Sequence, residues 1–302
     1  MNCNEMNQAV SLSEAARRLN IPYSKDVQPK VRHVGVGSLR FQYLEWGDED
    51  KPSVLLLHGI AQQSHSWDLI SLSLSNRYHV IALDARGHGE TQWPPDGDYS
   101  IEAHQRDLDG FVKAIGLDRF IIIGHSMGGR NAYVYTSQHP LRVKALIIVD
   151  TGLDSARLGQ QRIRRFVNLP DELASFEQFV QRVQEYTGRP SWMVKGGLNH
   201  SIRQLPNGTW TWKYDRLIRH PDFSPPTWPS EELRACLRAI DCPTLLVRGA
   251  DSDVMSPETF EQTLELLPHS RGAVVPNAGH LVPGDNPSEF LKALELFLKS
   301  LD

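Results

Sequence analysis

Residues 120–129 read Phe-Ile-Ile-Ile-Gly-His-Ser-Met-Gly-Gly, and they decide the fold. The apolar run Phe120–Ile123 reads as a buried strand. It ends in Gly124-His125-Ser126-Met127-Gly128, and the spacing predicts a helix starting near Gly129. Gly-x-Ser-x-Gly between a strand and a helix marks a tight turn that lifts a serine hydroxyl clear of the backbone. The glycines on either side lack the Cβ atoms that would clash there. The following helix points its N–H groups at negative charge developing beside Oγ. Ser126 is therefore the candidate nucleophile. The stretch has no Lys-Ser/Thr after its glycines, so it is not a phosphate-binding loop.

Similar runs lie on both sides: Leu39–Trp46, Ser53–Leu57, His79–Leu83, Ala145–Val149, Thr244–Val247 and Gly272–Val275. Most are apolar throughout, as strands of a parallel sheet covered on both faces are. Leu39–Trp46 alternates more and reads as an antiparallel edge strand. Amphipathic helices are predicted over Ile101–Ile115, Pro257–Leu267 and Pro287–Leu301. This alternation predicts an α/β fold with a doubly wound, mostly parallel eight-stranded sheet.

Thr151–Asp241 breaks the pattern. It reads as helices (Leu158–Phe166, Ser175–Tyr186), a hairpin with a type I′ turn at Asn207-Gly208, and a Pro-rich connector over residues 221–229. Four of the seven tryptophans fall here, and the stretch is too long to be one loop. The expected organisation is an N-terminal arm (1–29), a discontinuous core (30–150 and 242–302) and a mainly helical cap (151–241). Ser11 and Glu14 suggest a capped helix in the arm.

Composition narrows the function. The 302 residues carry 32 basic against 36 acidic side chains, a net charge of −4, which does not suit a nucleic-acid binder. No apolar run approaches the ~18 residues of a membrane span. The first 25 residues have no apolar signal core, so a cytoplasmic location is expected. Three cysteines exclude a disulfide framework, and Cys236 and Cys242 lack zinc-site spacing. No metal and no cofactor is expected.

With this elbow, residues 30–302 resemble the α/β-hydrolase superfamily, in its esterase and lactonase branch with an inserted cap. Three further segments carry the likeness. His58-Gly59-Ile60 resembles the family's oxyanion loop, which implies the N–H groups of Ile60 and Met127 as the oxyanion hole, with His58 shaping the loop. Asp84-Ala-Arg-Gly-His-Gly89 resembles its turn after the fourth strand. Ala278-Gly279-His280 follows the last strand, and His280 is implied as the general base.

The implied acid follows the strand after the cap, where Asp251 and Asp253 compete. Asp253, four residues before Pro257, is favoured. Asp150, at the end of Ala145–Val149, is the third option, read here as a cap-hinge residue. Trp67, Trp192, Trp210 and Trp212 are expected to line an apolar pocket, and Arg130 to lie on the helix flank outside it. The resemblance implies hydrolysis of a small to medium hydrophobic ester or lactone through an acyl-enzyme. Two alternatives are cleavage of a C–C bond in a ring-cleavage diketone by the same residues, and a ligand receptor without turnover. The expected partner is a small molecule, and the sequence does not set an oligomeric state.

Overall fold

The computed structural model describes residues 10–153, 156–223 and 228–301. Its main sheet has eight strands among the described residues: β1 (Lys30–Val36), β2 (Leu39–Trp46), β3 (Ser53–Leu57), β4 (His79–Leu83), β5 (Phe120–His125), β6 (Val143–Val149), β10 (Thr244–Gly249) and β11 (Ser270–Val275). Their order is β1-β2-β4-β3-β5-β6-β10-β11. From β4 to β11 all pairs are parallel, while β2 is antiparallel to both β1 and β4. Leu39–Trp46 is thus not the edge. The edge is β1, whose largely exposed Lys-Val-Arg-His-Val-Gly-Val carries too few apolar residues to signal a strand.

Alternate residues of each central strand serve opposite cores, as the period of two demands. Val54 and Leu56 pack with Ile121, Ile123, Ile147 and Val247 on one face. Leu55 and Leu57 pack with Ile122, Ile148 and Leu246 on the other. The first face is covered by α1 (Leu12–Arg18), α2 (Asp68–Leu74), the short α10 (Val282–Asp285) and α11 (Pro287–Lys299). The second is covered by α3 (Ile101–Ala114), α4 (Met127–Gln138), α8 (Ser230–Arg238) and α9 (Pro257–Leu266). In α1, the Ser11 hydroxyl accepts from the Glu14 N–H at 3.2 Å. The Glu14 carboxylate turns to Arg17 and Arg18 instead of closing a capping box.

Between β6 and β10 lie α5 (Arg157–Val167), β7 (Glu172–Leu173), α6 (Phe176–Thr187), α7 (Ser191–Ser201), β8 (Ile202–Gln204) and β9 (Trp210–Trp212). They enclose their own apolar cluster around Phe179, Val180, Leu198, Trp212 and Tyr214. In contrast, Leu233 and Leu237 of α8 join the sheet's core, so this helix packs with the core and not with the cap. The hairpin turn differs from type I′. The Gly208 N–H bonds Leu205 O, placing Pro206 and Asn207 at the centre, and only Gly208 (φ 86°) has a left-handed backbone. Proline's fixed φ near −65° is incompatible with I′ and suits a type I turn closed by a left-handed glycine. Of the Pro-rich connector, residues 224–227 lie outside the described residues, as does the start of the arm (1–9). Among the described residues no helix is long and apolar enough to cross a membrane.

Polar contacts tie cap to core. The Tyr99 hydroxyl donates to Asp215 at 2.6 Å, and the Asp215 N–H donates to Gly87 O at 2.8 Å. Tyr99→Phe leaves a buried carboxylate oxygen without its donor, a loss of about 1–3 kcal/mol. Hydrogen exchange should quicken in β8 and β9 and stay unchanged in β3 and β5. Equal acceleration in both would mean that cap and core open together.

Candidate active site

Strand β5 delivers Ser126 to the C-terminal edge of the sheet. Its backbone, φ 53° and ψ −116°, lies outside the regions open to most L-residues. The flanking glycines make this turn sterically feasible. A Cβ on Gly124 would sit 2.2 Å from Gly128 O, and one on Gly128 would sit 2.3 Å from Leu57 O. The chain enters α4 directly, so Met127 is its first residue and its N–H has no acceptor within the helix.

His280, in the loop after β11, places Nε2 3.0 Å from Ser126 Oγ. Its Nδ1 lies 2.8 Å from an oxygen of Asp150. The predicted acid was Asp253, and the structure brings Asp150 to the histidine instead. Asp150 follows β6 directly, is fully buried, and also accepts from the Gly249 N–H (2.8 Å) and the Ser252 hydroxyl (2.5 Å). The reason is sheet order. β6 lies between β5 and β10, so its end is beside the serine turn. The loop after β10 contributes Ser252, a hydroxyl, and turns both neighbouring aspartates away. Asp251 is exposed. Asp253 forms an ion pair with Arg162 of the cap at 3.1 Å, and Arg162 also donates to Tyr186 O.

The oxyanion loop follows β3. His58 Nδ1 donates to Gly59 O at 2.7 Å, and Nε2 accepts from the Ala85 N–H at 3.0 Å. That pattern requires the neutral ring, and burial lowers its pKa to about 4. The Gly59 N–H donates to Gln62 Oε1 at 2.9 Å, and Ala61 is left-handed at φ 60°. Ile60 sits within this tight turn, and with Ser126 it lines the cavities on both sides of the serine. His125 is fully buried and donates Nε2–H to His280 O at 2.7 Å, fixing the backbone of that loop. Burial holds its pKa well below the ordinary range.

Two cavities meet at Ser126. One, of about 340 Å³, runs under the cap and is mostly apolar, with Trp67, Trp192, Trp212, Phe166 and Leu12 in its wall. The other, of about 480 Å³, is more polar and holds Met127, Arg130, His104 and Thr151. Trp210 lines neither. It packs edge-on to Phe176 inside the cap, 5.6 Å between centroids. Arg130, expected on the helix flank, faces the second cavity.

His65, Asp68 and His200 form the one group of three metal-ligand types found among the described residues. In the present arrangement Asp68 accepts from His65 at 2.9 Å, and the two imidazoles stack at 3.6 Å and 17°. Near-parallel rings send their in-plane lone pairs side by side, so they do not converge on one point.

Comparison with known proteins places this geometry in a family. Residues 52–287 match the alpha/beta hydrolase fold. The chain belongs to that family. An esterase of Mycobacterium tuberculosis is 26% identical over 272 residues, covering 87% of each chain. Its crystal structure superposes with a TM-score of 0.78 over 95% of this chain and 96% of that one. A 3-hydroxybutyrate-oligomer hydrolase of Cupriavidus necator is 27% identical over 86% of this chain and 94% of its own. A 2-hydroxy-6-oxo-6-(2'-aminophenyl)hexa-2,4-dienoic acid hydrolase of Metapseudomonas resinovorans is 28% identical over 88% and 90%. The protein is a hydrolase of this fold.

Asp150→Asn should lower kcat by about 10⁴, through a wrongly held imidazole tautomer. Asp253→Asn should change it only a few-fold. Steady-state kinetics on both variants, with circular dichroism to confirm folding, decides between them. The buried histidines set a second expectation. The pKa of His58 is lowered to about 4 and that of His88 to about 3, both by burial. The unfolded chain protonates both near pH 6.5, before the folded chain does, so it binds more protons below that pH. Stability should therefore fall as pH drops from about 7.5 to 5.5, read from urea midpoints. A flat or rising midpoint contradicts this.

Proposed function

We propose that this hydrolase cleaves carboxylic esters or lactones through an acyl-enzyme on Ser126. The observation that carries the proposal is the continuous chain from Ser126 Oγ to His280 (3.0 Å) and on to Asp150 (2.8 Å). His280 Nε2 takes the hydroxyl proton as Oγ attacks the carbonyl carbon. Asp150 holds Nδ1–H in place and stabilises the imidazolium. The tetrahedral oxyanion is received by the N–H groups of Ile60 and Met127, where losing one donor typically costs about 10²–10³ in rate. Collapse expels the alcohol, protonated by His280. Water activated by the same imidazole then releases the acid.

The esterase and the oligomer hydrolase named above support an ester as the scissile group. The apolar cavity under the cap suits a compact hydrophobic portion. One observation favours a second reading, cleavage of a C–C bond in a ring-cleavage diketone. It is the likeness to the dienoic acid hydrolase of Metapseudomonas resinovorans. The receptor alternative gains nothing from an assembled triad. The substrate is a small molecule in either case, and a cytoplasmic location remains part of this proposal.

A chain-length panel of p-nitrophenyl esters tests the reading. Wild type should turn over short and medium chains, and Ser126→Ala should lose about 10⁴-fold or more. Full activity in Ser126→Ala would falsify the serine mechanism. Turnover of a dienoic ring-cleavage product alone would favour the C–C reading.

A further inference from the structure

Arg130 stands out among the charged groups near the nucleophile. It lies in the first turn of α4, where its N–H donates to Ser126 O at 3.0 Å. It lines the polar cavity with Ser126, Ile60 and Met127. Its Nε is closed off from solvent and has no hydrogen-bond partner. Among the described residues no carboxylate pairs with its guanidinium.

The other buried arginines each have a carboxylate or carbonyl partner, although Arg219 also leaves Nε and one Nη without a hydrogen bond. Arg86 binds Asp107, Arg219 binds Asp171 and Thr211, and Arg248 donates to Met255 O and Ala250 O. The described lining of the polar cavity contains no aspartate, glutamate or lysine. Its His104 is kept neutral, because burial holds its pKa well below the ordinary range. Among the described residues the chamber therefore carries one positive charge, close to the reacting serine and without an internal counter-ion. Arginine stays protonated in proteins. Burying an unpaired charge is unfavourable, and an anionic ligand that pairs with it removes the penalty. The planar guanidinium fork suits a carboxylate.

We propose that Arg130 binds a free carboxylate of the substrate, so that the preferred esters are half-esters of diacids or esters of hydroxy acids. This rests on the ester reading above and adds a substrate class to it. The carboxylate enters the polar chamber, and the uncharged remainder occupies the apolar cavity under the cap. The two cavities share Ser126 and Ile60, which places the scissile carbonyl at their junction.

Matched substrates test this on the full chain. Monoethyl glutarate against ethyl valerate puts the charge on the acyl side. 4-Acetoxybutanoate against butyl acetate puts it on the alcohol side. Within each pair a carboxylate replaces a methyl group. Wild type should favour the charged member of at least one pair in kcat/KM. Arg130→Met should cut that charged-to-neutral ratio by about 10- to 100-fold, the range for a hydrogen bond to a charged group. Arg130→Lys should recover part of it. Glutarate alone should raise the melting temperature of wild type and not of Arg130→Met.

No charge preference in either pair, with ester turnover intact, overturns the inference and leaves the ester reading standing. The same holds if the preference survives in Arg130→Met. If wild type hydrolyses no ester, the ester reading fails and glutarate binding decides alone. Stabilisation of wild type that Arg130→Met lacks supports the site, and none in wild type refutes it. Should Arg130→Met not fold, the wild-type ratios and Arg130→Lys decide.

Discussion

A single buried carboxylate holds the reactive end of this molecule together. Asp150 is sealed from solvent and accepts from the strand next to it, from a hydroxyl in the following loop and from the imidazole of His280. Without those donors the burial of a charge there would be prohibitive. The three donors come from segments about a hundred residues or more away in sequence, so the carboxylate sets where each of them ends. Its own N–H donates to Val247 O, which keeps it in the parallel ladder while a φ of 51° turns the chain outward. Among the described residues, Ala61, Ser126, Asp150 and Asn277 account for all but one of the non-glycine positions with left-handed backbone. All four lie in the turns that build this site, and strain of this kind persists only where surrounding structure enforces it. The sheet supplies that enforcement.

The cap depends on the same loops. Asp253 anchors α5 through Arg162. On the other side, Arg189 reaches Asp285 at 2.7 Å, and Asp285 accepts from the Gly279 N–H beside His280. The lid is therefore strapped to the two loops that hold the acid's neighbours and the base. A shift of the cap is felt at the imidazole through very few bonds. This also explains why two acidic side chains near the site serve attachment while a third serves the histidine.

Much of this was readable in the residues themselves. The strand–Gly-x-Ser-x-Gly–helix stretch located Ser126, and the apolar runs located seven of the eight main strands, because burial on both faces leaves a compositional trace. β1 left little, being a largely exposed edge strand that turns only Val34 and Val36 to the core. The acid was misplaced because three aspartates sit in strand-end loops and sequence spacing does not register which strands are neighbours. β6 stands between β5 and β10, and only that order selects Asp150. Arg130 was misjudged for a related reason. A helix flank next to a turn and a helix flank lining a cavity have the same sequence. Trp210 and Trp212, two residues apart, show the limit again: one packs within the cap, and the other reaches the cavity wall.

The short helix α1 lies ahead of the span that matches the family, yet Leu12 and Ala15 form part of the apolar cavity's wall. Arg18 of the same helix rests over the ring of Trp192 in the cap, 5.3 Å from its centre. The wall of the apolar cavity is thus completed in part by a segment that lies ahead of residues 52–287, held against the cap by its own cation–π contact.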